Sequence, residues 1–186
     1  MIFTPARIEG ACLIELQRRE DERGFFARSW CAQEFKAHGL VDCIAQINYA
    51  NTVRSGTVRG MHLQVEPHVE AKVVACLRGA LFDVIVDLRP WSSTYLQWHG
   101  VELSADNRRM LYVPEGCAHG YQTLCDDVDM QYFASCSYAP QHATGVRFDD
   151  PAFAIEWPLP PSVVSAADRN WPAYDRERPF NLRTVA

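Results

Sequence analysis

The sequence has no long hydrophobic run. Its longest unbroken apolar stretch is Val73-Val74-Ala75-Cys76-Leu77, far below the roughly 18 residues that a membrane-spanning helix needs. The first residues, Met1-Ile-Phe-Thr-Pro-Ala-Arg7, hold no basic stretch followed by an apolar core, so no secretion leader is expected. Basic charge is in short supply: 18 Lys and Arg stand against 23 Asp and Glu, for a net charge of −5 and a pI near 5.6. That balance offers no electrostatic footprint for nucleic-acid phosphates or an anionic membrane surface. Paired cysteines are missing too. The seven cysteines (12, 31, 43, 76, 117, 125 and 136) include no Cys-x-x-Cys and are odd in number, which argues against a disulfide framework or a structural zinc site. They read as reduced core fillers, so the expectation is a soluble, cytoplasmic protein that binds neither nucleic acid nor membrane. With no repeat, low-complexity run or linker, residues 1–186 are expected to form one domain with a C-terminal tail packed on it.

What is present is short alternating segments broken by turn residues, with 10 Gly and 11 Pro in the chain. From Cys43 to Tyr138 this is the pattern of an all-β sandwich or barrel. In Leu81–Leu88 the alternation is clear: Phe82, Val84, Val86 and Leu88 share one face, and Leu81, Asp83, Ile85 and Asp87 the other. Val128–Tyr138 reads as a further strand with Met130, Tyr132, Ala134, Cys136 and Tyr138 on one face, which would set the two tyrosines roughly 20 Å apart. Two short helices are expected. Ser29 would cap one running to about His38 with Gly39 as its stop, and Ser165 would cap one through Asp168 and Arg169. Residues 151–161, with prolines at 151, 158, 160 and 161, are expected to pack irregularly on the barrel.

Polar residues concentrate in Gln46-Ile-Asn48 and in Gly56-Thr-Val-Arg59-Gly60-Met-His62-Leu-Gln64. If 58–64 is a strand, Val58, Gly60, His62 and Gln64 share a face and Arg59 opposes them. A glycine inside a strand marks a bulge or a close backbone approach, so Gly60 is placed to turn Arg59 toward the face of His62. Pro114-Glu-Gly-Cys-Ala-His119-Gly120 reads as a loop leaving a strand, with His119 at a cavity mouth or in a simple turn. On residue type alone, His62 is more often a satisfied barrel histidine than a base, and Tyr132 and Tyr138 are ordinary strand aromatics. A metal centre is disfavoured: His62-Leu-Gln64 lacks the second histidine of a His-x-His pair, and glutamine is a poor substitute ligand, although Glu70, His68 and His119 remain.

Seven segments occur in order: Asp21-Glu-Arg23-Gly24-Phe-Phe26, Gln46-x-Asn48, Arg59-Gly-Met-His62-x-Gln64, Lys72-Val, Asp83-Val-Ile-Val-Asp87-x-Arg89, Pro114-Glu-Gly-Cys-Ala-His119-Gly, and Asp150-Pro with Ile155-x-Trp157-Pro158. Together they resemble the dTDP-4-dehydrorhamnose 3,5-epimerase family of nucleotide-sugar epimerases. The resemblance implies a cupin-type jelly-roll β-barrel and a homodimer. It further implies inversion beside the ketone of a nucleoside-diphosphate 4-keto-6-deoxy sugar, at C3, C5 or both, with no metal or other cofactor. It assigns His62 as base, Asp168 of Ser165-Ala-Ala-Asp168 as its orienting carboxylate, Tyr132 as proton donor and Tyr138 as the aromatic stacked on the nucleobase. Lys72 and His119 fall around the sugar and its developing oxyanion. Arg23, Phe26, Arg28, Gln46, Asn48, Arg59 and Gln64 fall on substrate and nucleotide contacts.

The chemistry suits these residue types. A C–H next to a ketone is acidic because its anion is an enolate, so a base near neutral pKa can remove the proton, and histidine at about 6.5 fits. A carboxylate on its other nitrogen fixes the tautomer. Cationic or N–H donors stabilise the enolate oxygen. Inversion then needs a proton from the opposite face. Three positions depart from the family pattern: Arg28 replaces a glutamate, Ala143 replaces the glutamate of Pro-x-x-Glu, and Ala167 replaces the lysine before the last aspartate. All three concern the nucleotide, so a CDP- or GDP-linked substrate is the alternative for the same chemistry. A non-catalytic sugar-nucleotide binder is disfavoured, because a binder needs neither His62 nor Tyr132.

Overall fold

The structure, a computed structural model, describes residues 1–182. The chain runs through β1 (Ile2–Pro5), β2 (Cys12–Glu15), β3 (Arg19–Asp21), β4 (Gly24–Phe26), α1 (Ala32–Ala37), β5 (Gln46–Thr52), β6 (Thr57–Gln64) and β7 (Lys72–Arg78). It continues through β8 (Ala80–Asp87), β9 (Trp98–Ser104), β10 (Met110–Val113), β11 (Cys117–Thr123), β12 (Val128–Ala134), β13 (Ala143–Gly145), β14 (Val163–Val164) and α2 (Ala166–Arg169). One sheet has the order β1-β2-β10-β7-β12-β5 and faces a second of order β13-β6-β11-β8-β9; β3 and β4 form a separate hairpin. This is the jelly-roll sandwich that the alternating pattern and the resemblance led us to expect.

Inward residues of both sheets build the middle layer: Val74, Leu111, Val128 and Met130 from the first meet Leu81, Ile85, Leu103 and Tyr121 from the second. The second sheet is buried on its other face as well. Met61, Val84, Val86 and Ala118 there lie under Phe153, Tyr174, Phe180 and Leu182 of the C-terminal segment. Burial on both faces explains why β8 carries apolar residues on its two faces, with Asp83 and Asp87 as buried exceptions. Phe35 of α1 covers the first sheet beside Ile14, Val73 and Tyr112.

Several expectations need correction. The N-cap of α1 is Cys31, with no side-chain hydrogen bond, rather than Ser29. Here the helix start is tied down by charge: Glu34 in its first turn pairs with the Met1 amino group and with Arg28, each at 2.7 Å. β12 ends at Ala134 instead of running on to Tyr138; Ser135 is still tied to Ala71, its hydroxyl accepting from the Ala71 amide and its own amide donating to the Ala71 carbonyl, and beyond it the chain leaves the sheet. His119 lies on β11, buried, rather than in the turn at 114–116. Val58 does not share the face of His62; it packs with Phe148 and Val164.

That reversal within β6 has a local cause. The pairing of β11 with β6 slips between His119 and Tyr121, and there Gly60 (φ +122°) meets Gly120 so closely that a Cβ on Gly60 would lie 2.5 Å from the Gly120 Cα. Gly60→Ala is therefore expected to destabilise the fold by on the order of 1–3 kcal/mol or more, read as a lower denaturation midpoint with an unchanged denaturant slope. A wild-type midpoint would refute the close-contact account.

Candidate active site

Toward one end of the sandwich the inward residues switch from apolar to polar. On β7 the inward series Cys76, Val74 ends in Lys72; on β12 the series Val128, Met130 ends in Tyr132. A cavity opens there in two lobes. The inner lobe, about 220 Å³, is lined by Arg59, His62, Lys72, His119 and Tyr132 among others. The outer lobe, about 570 Å³, shares His62, Lys72 and Tyr132 and extends past Gln46, Asn48 and Asp168 to Tyr138, Ala143, Ala167 and Trp171. A separate cavity of about 460 Å³ beneath Phe3, Ile8 and His38 holds no histidine–carboxylate pair, so the chemistry is placed in the first.

Asp168 reaches His62 across 106 residues of chain: the carboxylate Oδ1 lies 2.6 Å from the imidazole Nε2. Two features deliver it. β14 adds in parallel beside β6, and the Ser165 hydroxyl caps α2 by accepting from the Asp168 amide at 3.0 Å, as its sequence led us to expect. Burial pushes the Asp168 carboxyl up, but hydrogen bonds from His62, the Gly60 amide and Ser165 outweigh it and hold it below the usual carboxylate range. His62 remains about half exposed, while Asp168 is only 7% exposed, so the pair presents a reactive ring on a buried carboxylate.

On the neighbouring strand β11, His119 sits directly across from His62. Its Nε2 lies 2.8 Å from Oδ1 of Asp83, which is fully buried. Sequence reasoning placed Asp83 in a motif without giving it a role. The signal was there, since a carboxylate on the inward face between Leu81 and Ile85 must find a partner once buried. Arg59 joins the inner lobe, its guanidinium donating to the Thr52 hydroxyl and the Asn51 carbonyl at 3.1 Å each. The expectation that Gly60 turns Arg59 toward the side of His62 is met in the bulge.

The opposite wall comes from the first sheet. Lys72 pairs with Glu70 at 3.1 Å, both nearly buried, and its ammonium lies 5.9 Å from the centre of the Tyr132 ring. Burial raises the Tyr132 hydroxyl pKa, with the nearby Glu70 charge acting the same way, so the phenol stays neutral and able to donate. Asn48 carries a buried amide nitrogen without a protein partner. Among the described residues no three His, Cys, Asp or Glu side chains are grouped to hold a metal ion.

Not every expected residue converges here. Arg23 pairs with Asp21 on the exposed β3–β4 hairpin, and Phe26 is 71% exposed. Phe26 and Arg28 border a shallow groove with Met1 and Glu34, apart from His62. Gln64 borders the outer lobe, but both its N–H groups and its oxygen bond to main chain. As a test of the second histidine–aspartate pair, Asp83→Asn is expected to lower kcat roughly tenfold with little change in KM, less than the ~10²–10³-fold typical of deleting an oxyanion donor itself. An unchanged kcat would remove Asp83 from the site.

Comparison with known proteins supports the same conclusion. A sequence profile described as dTDP-4-dehydrorhamnose 3,5-epimerase matches residues 5–176. The dTDP-4-dehydrorhamnose 3,5-epimerase of Methanothermobacter thermautotrophicus is 40% identical over 183 residues, covering 97% of each chain. The crystal structure of the enzyme of that name from Elizabethkingia anophelis superposes with a TM-score of 0.92 at 34% identity, over 97% of this chain and 99% of the other. That from Bacillus anthracis, solved with TDP and PPi bound, gives 0.88 at 36% identity, over 93% and 99%. Fold, ordered motifs and near full-length similarity agree: the chain belongs to the dTDP-4-dehydrorhamnose 3,5-epimerase family.

Proposed function

We infer that this cavity epimerises a nucleoside-diphosphate 4-keto-6-deoxy sugar, converting dTDP-4-dehydro-6-deoxy-D-glucose to dTDP-4-dehydro-L-rhamnose. One observation carries the residue roles: His62, backed by Asp168 of α2, stands on one sheet and the neutral phenol of Tyr132 on the sheet facing it. A ring held between them loses a proton to one wall and regains one from the other, which is what inversion requires.

His62 takes the C–H proton beside the ketone. The electron pair of that bond forms the C=C of the enolate, and the carbonyl π electrons move onto oxygen. Lys72, and His119 when doubly protonated beside Asp83, donate to that oxygen. Tyr132 then gives its O–H proton to the carbon from the opposite face; the tyrosinate regains a proton and His62 releases one to solvent. The proton inventory closes with solvent: His62 gives up one proton and Tyr132 takes one back in each turnover. The outer lobe takes the nucleotide, with Asn48 and Gln46 toward the diphosphate, Arg59 reaching in from the inner lobe, and Tyr138 stacked on the base.

The hairpin residues fit this scheme in a homodimer. Arg23 and Phe26 lie on an exposed arm with Phe25 also exposed, so they serve as nucleotide contacts when the arm of one subunit reaches the outer lobe of its partner. Arg28 is neutralised by Glu34 within its own chain and lies at the base of that arm. The seven thiols are free in this fold, which suits a reducing cytoplasm.

The test is proton NMR of dTDP-4-keto-6-deoxyglucose with the protein in D₂O. Loss of the C3 and C5 proton signals is the expected result, and loss of one only makes this a single-carbon epimerase. Exchange confined to the CDP- or GDP-linked analogue overturns the nucleotide assignment. Exchange with none of the three overturns the function.

A further inference from the structure

Gln64 ends β6, two residues beyond His62, and is only 2% exposed. A buried carboxamide brings two N–H donors and an acceptor oxygen that must be satisfied. Here each is bonded to main chain. Nε2 donates to the carbonyls of His68 at 3.0 Å and Ser137 at 3.3 Å, and Oε1 accepts from the Ala139 amide at 2.6 Å. The last two contacts straddle Tyr138, whose own amide donates to Oε1 of Gln46 at 2.7 Å.

This matters because the chain has left the sheet. β12 ends at Ala134, so no strand ladder holds residues 137–139. Gln64 stands in for the missing ladder, and Gln46 adds the bond to the residue between. The Tyr138 side chain is itself largely exposed, at 62%, so its position depends on the main chain beneath it. We propose that Gln64 is a positioning residue for nucleotide binding: it clamps the 137–139 segment so that the Tyr138 ring is held, before ligand arrives, as a platform at the mouth of the outer lobe. A preordered platform loses less side-chain and loop freedom on binding than a mobile one.

The proposal rests on the reading of Tyr138 as the stacking residue, and the experiment separates the two. dTDP is titrated calorimetrically into the full chain and into Gln64→Leu, Tyr138→Ala and the double variant, with kcat and KM measured in parallel. Gln64→Leu is expected to weaken dTDP binding roughly tenfold and to raise KM alike, while kcat stays within about twofold. In the Tyr138→Ala background the same change is expected to cost less than about twofold further, because the clamp then has nothing to hold. Losses that multiply would show Gln64 acting independently of Tyr138 and would overturn the inference while leaving the stacking role intact. Full dTDP affinity in Tyr138→Ala alone would remove the stacking role and the clamp with it. A kcat loss in Gln64→Leu as large as the affinity loss would point to a displaced His62 strand, which also overturns it. Gln64→Glu keeps the shape and the acceptor for Ala139 but loses both donors. Its affinity is expected between wild type and Gln64→Leu, and it carries the same double-variant test if the leucine variant does not fold.

Discussion

His62→Ala is expected to abolish deuterium exchange at both sugar carbons while leaving dTDP affinity close to wild type. A positioned acid–base group contributes on the order of 10²–10⁴-fold. The loss here should reach the upper end, because on the wall contributed by the second sheet the other histidine, His119, is engaged with Asp83. The measurement is proton NMR in D₂O beside a dTDP titration; near-normal exchange with a folded variant would remove His62 as the base. The same pair sets an acid limit. Asp168 has its carboxyl held below its ordinary value by His62, Gly60 and Ser165, against the opposing effect of burial. Its contribution to stability is therefore present above the ordinary carboxylate range and is lost as pH falls through the depressed value. Protonation there also ends its orienting charge on His62, so activity and stability should decline together on the acid side, and Asp168→Asn should lose that shared dependence.

Tyr132→Phe is expected to separate the two proton transfers. The base wall is untouched, so His62 still removes the proton and solvent deuterium still enters the substrate from that face. What fails is delivery from the opposite sheet, and product formation should fall on the order of 10²-fold or more while exchange into unconverted substrate falls far less. Following both by NMR in one sample gives the ratio directly. Equal losses would mean that Tyr132 shapes the cavity rather than donating. The phenol suits the role because burial keeps it protonated, and its removal costs only a hydroxyl within a wall that Lys72 and Met130 continue to form.

Much of the fold was legible because a jelly roll is written in period two. The alternation on β8 and along β12 could be read residue by residue from the sequence. The Ser165 cap was legible too, since a serine three residues before the aspartate it bonds is a local signal. Ser29 misled for the same reason: it looks like a cap, but α1 begins three residues later, where Glu34 can meet the amino terminus and Arg28. Tyr138 was read two residues at a time along a strand that in fact ends at Ala134. It still borders the cavity, though by way of side-chain bonds from Gln46 and Gln64 that no strand period encodes.

By itself, then, the sequence determined the class of fold, the ordered motifs, and the types of side chain that enolate chemistry requires. Tertiary structure decided which of them meet. Asp168 finds His62 from 106 residues away because β14 lies along β6, and Asp83 finds His119 because β8 and β11 are neighbours. Arg59 reaches the side of His62 only through the bulge that the facing glycines 60 and 120 permit. Arg23 and Phe26, close in sequence to nothing in the cavity, remain on an arm outside it. Such pairings depend on strand order and on a single slipped register. Alternation along one strand carries no record of either, because each is a property of which strands lie side by side.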